Sequence, residues 1–135
     1  MKKIIYIILK IIFSLIILMP ILGAIGIFPP PTSDMYNTPQ AFDFIEILSA
    51  SGYIMYMMAI VNIIVVFCLW TKRVALGAIL MLPITFNIVG FHMFLDGGPF
   101  TGGAILGNIL LLINFYFIWK HRAEYKLLMS KSEQY

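Results

Sequence analysis

Long apolar stretches separated by short polar ones organise this chain. Four runs, Ile11 to Phe28, Tyr53 to Trp70, Val74 to Phe94 and Thr101 to Trp119, each come close to the roughly 20 residues that a helix needs to cross a bilayer. Backbone N–H and C=O groups find no partner in hydrocarbon, so each run is predicted to be an α-helix. The expected fold is an all-α membrane protein, a single domain over residues 1–135 built as a four-transmembrane-helix bundle. The first helix reaches back to Ile4, with Lys10 snorkelling its ammonium to the interface. The same N-terminal stretch resembles a signal peptide, but Lys10 splits its apolar run and no small-x-small cleavage pattern follows. It is therefore read as a retained first span.

The segment between the first two spans carries its own signals. Pro29-Pro30-Pro31 stops the first helix, Thr38 is placed to cap a new one and Pro39 suits its first position. Phe42, Ile45 and Leu48 then recur at helical spacing, with Gln40, Asp43 and Glu46 on another side. This pattern predicts a short extracytoplasmic amphipathic helix ending near Gly52. It reads as a docked lid over the bundle or as a partner-binding or gating element. Pro20 and Pro83 interrupt the backbone ladders of the first and third spans. Gly103 and Gly107 form a GxxxG pair in the fourth, which lets another helix come close, within the bundle or across a dimer.

Composition strengthens the membrane reading. Hydrophobic residues make up 61% of the chain and charged residues 11%, against about a quarter charged in soluble domains. The net charge of +3 does not mark a nucleic-acid partner, because the basic residues sit at the termini and in the Lys72-Arg73 loop and form no stripe. With an even number of spans, the lysines and arginines share one side, and Asp34, Asp43, Glu46 and Asp96 share the other. The positive-inside rule then puts both termini in the cytoplasm. Trp70 and Trp119, each followed by bases, mark that interface. The residues after His121 are polar enough to leave the membrane, and the last of them are expected to be mobile.

Polar residues inside apolar spans are the candidate chemistry. At about 1.5 Å rise per residue, Asn62, Asn87 and Asn108 fall at similar depths on three helices. They are expected to meet in a polar layer in the outer half of the bundle, as interhelical hydrogen bonds or as a ligand-binding patch, with Asn114 able to join. His92 and Asp96 are four residues apart on one helix face. They suit a proton relay, a hydrogen bond to a quinone-like carbonyl, or a histidine that closes the helix end. No second membrane histidine supports a metal, and the nine methionines read as core fillers. The single Cys68 lies among apolar neighbours, and no nucleophile–base pair or phosphate-cradling loop is present.

These residues together resemble the DoxX-like family of small bacterial four-helix membrane proteins. The resemblance rests on the basic start MKKIIYIILKIIF, the segment AFDFIEILSASGY, the Lys72-Arg73 loop and the stretch PITFNIVGFHMFLD. The pattern of Asn87, Phe91, His92, Phe94, Leu95 and Asp96 is its most specific part. The resemblance implies a bacterial inner-membrane protein tied to quinone-linked or thiol redox systems, with quinone as the candidate ligand and membrane or redox proteins as partners. Asn62 stands where the family pattern places a glutamate, which favours an accessory role over catalysis. The expected function is a non-catalytic accessory subunit that holds a small lipophilic ligand or a partner helix. A small-solute or ion transporter and a purely structural subunit are the alternatives.

Overall fold

The computed structural model describes residues 2–129, and all its regular elements are helical. They are α1 (Lys2–Ala24), a 3-10 turn at Ser33–Met35, α2 (Pro39–Ala50), α3 (Tyr53–Trp70), α4 (Val74–Phe94), α5 (Gly102–Lys120) and α6 (Arg122–Met129). Helices α1, α3, α4 and α5 are long and apolar enough to cross a membrane. The expected mobility of the last residues falls on 130–135, outside the described range.

The four long helices close a ring in which α1 packs on α3, α3 on α4, α4 on α5 and α5 back on α1. Phe13 and Ile17 of α1, Val65 and Leu69 of α3, Ala78 and Met81 of α4, and Leu110 and Phe117 of α5 form the core. Phe13 and Phe117 meet edge to face at 5.5 Å. The outward faces are also apolar: Ile63, Phe67, Leu76, Ile79, Leu112 and Phe115 are exposed. So much exposed apolar surface suits hydrocarbon as the surrounding solvent.

The first span ends earlier than its hydropathy suggests. The apolar run continues to Phe28, but α1 stops at Ala24. Gly26, at φ +78°, closes it: its N–H donates to the Gly23 carbonyl at 3.0 Å and the Ile27 N–H donates to the Leu22 carbonyl at 3.0 Å. This is a Schellman end, and the positive φ that it needs is available to glycine at little cost. Hydropathy does not register backbone handedness, so the apolar Ile25, Ile27 and Phe28 extend the run beyond the helix. The chain after His121, expected only to leave the membrane, forms α6, which Tyr125 ties to α4 by donating to the Ala75 carbonyl at 2.6 Å.

The two prolines do not break their helices. In α4 a side chain of α5 enters the ladder next to the proline. With its amide oriented to match its partners, Asn114 of α5 donates from Nδ2 to the Ala78 carbonyl at 2.9 Å. Its Oδ1 accepts from the Leu82 N–H at 3.2 Å and the Thr85 hydroxyl at 3.1 Å. Ala78 and Leu82 are an i, i+4 pair, so a side-chain amide enters the backbone ladder immediately before Pro83. Asn114 and Thr85 are fully buried, and this bond set pins α5 to α4.

Candidate functional site

The end of the bundle that carries Asp34, Asp43, Glu46 and Asp96 is built around α2 and the turn after α4. Thr38 caps α2, its hydroxyl accepting from the Ala41 N–H at 3.1 Å and donating to the Leu95 carbonyl. Phe42, Ile45 and Leu48 turn partly inward while Asp43 and Glu46 are exposed. After α4, Gly97 and Gly98 take φ values of +85° and +109°, which reverse the chain within two residues. A side chain at Gly97 would also press on Asn37, its Cβ 3.1 Å from that residue's Cβ.

That reversal delivers Asp96 to the middle of a clamp. Its Oδ1 accepts from the Asn37 N–H at 2.8 Å, and its Oδ2 from His92 Nδ1 at 2.8 Å. Asp96 is only 3% exposed. Burial alone would raise its carboxyl, but the Asn37 and His92 hydrogen bonds outweigh that and hold it below the ordinary carboxylate range. The His92 ring is wedged between Phe91, edge to face at 5.0 Å, and the glycines of α5. A Cβ on Gly103 would lie 2.5 Å from His92 Cε1, and one on Gly107 would lie 2.9 Å from Ile88 Cγ2. The GxxxG pair thus receives α4 of the same chain.

The three asparagines predicted to share a layer take different environments, and no hydrogen bond joins any two of them. Asn108 donates to the Pro99 carbonyl at 2.9 Å and secures the α4–α5 turn. Asn62, 1% exposed, donates to the Ile17 carbonyl at 3.1 Å, one residue beyond the Ile16 carbonyl that Pro20 leaves without its helical donor. Its Oδ1 is buried and has no partner among the described residues. Asn62 lines a cavity of about 110 Å³ among all four long helices, bounded by Pro20, Met58, Met81 and Gly107. Asn87 faces outward and makes no side-chain hydrogen bond among the described residues. Similar depth did not bring them together because the three side chains point in different directions around their helix axes.

Asn87 instead sits in a groove of about 340 Å³ under α2, with Phe44, Leu48, Ile54, Pro83 and Phe91. A shallower depression beside it shares Phe44, Asn87 and Phe91. Phe44 and Phe91 lie 5.9 Å apart with their rings 31° from parallel. The surface is aromatic and apolar, with one amide.

An orphaned buried oxygen costs about 1–3 kcal/mol, while an interhelical bond in a membrane returns about 0.6. Asn62→Leu is therefore expected to raise stability by about 1 kcal/mol, read as a higher unfolding midpoint in detergent. A lower midpoint would show that Oδ1 takes a donor from the cavity.

The opposite end holds a constellation that the sequence reading missed. Tyr6 of α1 donates its hydroxyl to His121 Nε2 at 2.9 Å, and His121 Nδ1 faces Glu124 Oε1 at 2.6 Å. The 115-residue separation between Tyr6 and His121 left no local spacing to reveal it. Among the described residues no three His, Cys, Asp or Glu side chains converge as a metal site. In comparisons with known proteins, no family model matches the chain, and neither a curated protein nor a solved structure matches it.

Proposed function

We propose that this chain is a non-catalytic, DoxX-like accessory subunit of a bacterial inner membrane that holds a small lipophilic ligand in the groove under α2. Both termini lie in the cytoplasm in this reading, since Lys3, Lys72, Arg73, Lys120, Arg122 and Lys126 gather at the opposite end of the bundle from α2. Helix α2 is then the extracytoplasmic amphipathic lid.

The observation that carries the proposal is Asn87. An amide at membrane depth without a partner is costly, and this one opens on an aromatic groove of ligand size. A quinone ring fits that chemistry. One ring carbonyl accepts from Asn87 Nδ2 while the flat ring lies on Phe44 and Phe91. His92 and Asp96 then serve the site indirectly, by fixing α4 against the turn that positions α2. The transporter alternative rests on broken helices, whereas α1 and α4 run on through their prolines.

Equilibrium dialysis of a short-chain benzoquinone against the protein in nanodiscs tests this. Saturable binding is expected, weakened about tenfold by Asn87→Leu, the value of one hydrogen bond of about 1.4 kcal/mol. Unsaturable partitioning, or equal affinity in Asn87→Leu, overturns the ligand reading and leaves the groove to a partner helix.

A further inference from the structure

At the basic end, two lysines converge on one tyrosine. Lys120 Nζ lies 3.6 Å from the Tyr6 ring centroid and Lys10 Nζ lies 4.9 Å from the same centroid. Lys10 Nζ is also 5.9 Å from the Trp70 ring, and Lys120 Nζ is 5.7 Å from the Tyr116 ring. Cation–π contacts favour each ammonium separately. Two like charges sharing one ring beside hydrocarbon nevertheless repel, and the repulsion grows as water is excluded. The nearby carboxylate, Glu124, is engaged by His121. Among the described residues neither lysine forms an ion pair.

Two ammonium groups over one ring favour an anion beside them. Its place in the fold says which kind. Trp70 and Trp119, exposed at the ends of α3 and α5, mark the level of the membrane–water boundary. Toward the bundle centre the neighbouring outward faces carry Ile11, Leu112 and Phe115, all exposed and apolar. A phosphate group held between Lys10 and Lys120 would thus sit with acyl chains below it.

We propose that Lys10 and Lys120, which share the Tyr6 ring, form a binding site for the phosphate of an anionic phospholipid. The Tyr6–His121–Glu124 hydrogen-bond chain fixes that ring between α1 and the α5–α6 junction. The site is independent of the groove under α2, at the other end of the bundle, so either can fail without the other.

The two tryptophans are the only ones in the chain, and Trp70 touches the proposed site, so fluorescence quenching by brominated lipids reports its occupancy. The protein is reconstituted in nanodiscs with brominated phosphatidylglycerol or, at equal mole fraction, brominated phosphatidylcholine. Stronger quenching by the anionic lipid is expected, with a relative affinity of about fivefold for each lysine. Lys10→Gln with Lys120→Gln should bring the two lipids to parity, and Lys10→Arg with Lys120→Arg should keep the preference. Lys72→Gln with Arg73→Gln, at the same end but away from Tyr6, should also keep it. Circular dichroism confirms that each variant is folded. No preference in the unmodified protein overturns the proposal, as does a preference that survives the double glutamine variant or is lost equally in the Lys72/Arg73 variant. Relief of the anionic-lipid quenching by inorganic phosphate, but not by chloride at matched ionic strength, assigns the site to free phosphate and overturns the lipid assignment.

Discussion

Gly103→Ala is expected to destabilise the bundle by about 1–3 kcal/mol, the usual effect of forcing one extra carbon into a packed core. The new Cβ would lie 2.5 Å from His92 Cε1 and 3.1 Å from Nε2. The ring cannot swing away freely, because Nδ1 is bonded to Asp96 and one face is closed by Phe91. Helix α5 must move out from α4, and the Asn114 bonds to Ala78 and Leu82 stretch with it. His92→Ala removes the obstacle, so the two substitutions together should destabilise by less than the sum of their separate effects. A double-mutant cycle from reversible unfolding in mixed detergent micelles measures that coupling. Strict additivity would show that the imidazole–glycine contact does not set the α4–α5 spacing.

Asp96→Ala should cost about 2–3 kcal/mol, because it leaves the Asn37 N–H and His92 Nδ1 without their charged acceptor. The loss is expected to be local at first. The turn after α4 releases Asn37, and the start of α2 loosens because Thr38 bonds the adjacent Leu95 carbonyl. Amide hydrogen exchange over residues 37–45 should rise before that of α3. The same carboxylate predicts a pH dependence. Its folded-state pKa lies below the ordinary value of 3.8, so its contribution is present above that value and disappears as pH falls through the lower, folded one. The unfolding midpoint of the unmodified protein should therefore drop on acidification below about pH 4. Asp96→Asn should remove that component of the drop. An identical acid profile in Asp96→Asn would mean that the carboxylate is not the group being titrated.

The parts of the fold legible in the sequence are those governed by local rules. A run such as Tyr53 to Trp70 must satisfy its own backbone in hydrocarbon, so its helix follows from composition alone. Thr38 and Pro39 announce the start of α2 because a cap and a first-position proline act within four residues. The proximity of His92 to Asp96 follows from helical spacing, and the structure shows that bond. Side-chain azimuth is not a local property. Asn62, Asn87 and Asn108 share a depth, but they diverge into a cavity, a groove and a turn because each direction depends on how its helix is rotated against its neighbours.

The sequence by itself determined how many helices are long and apolar enough to span a membrane, where most of them begin and end, and that the lysines and arginines gather at the end opposite Asp34, Asp43, Glu46 and Asp96. Those features answer to hydrocarbon and to hydrogen bonds a few residues long. Only the tertiary structure decided that Gly103 and Gly107 receive an imidazole from their own chain, that Asn114 enters the backbone ladder beside Pro83, and that Tyr6 meets both His121 and two lysines. Each of these joins residues far apart in sequence, and each depends on helix rotations that packing in three dimensions selects.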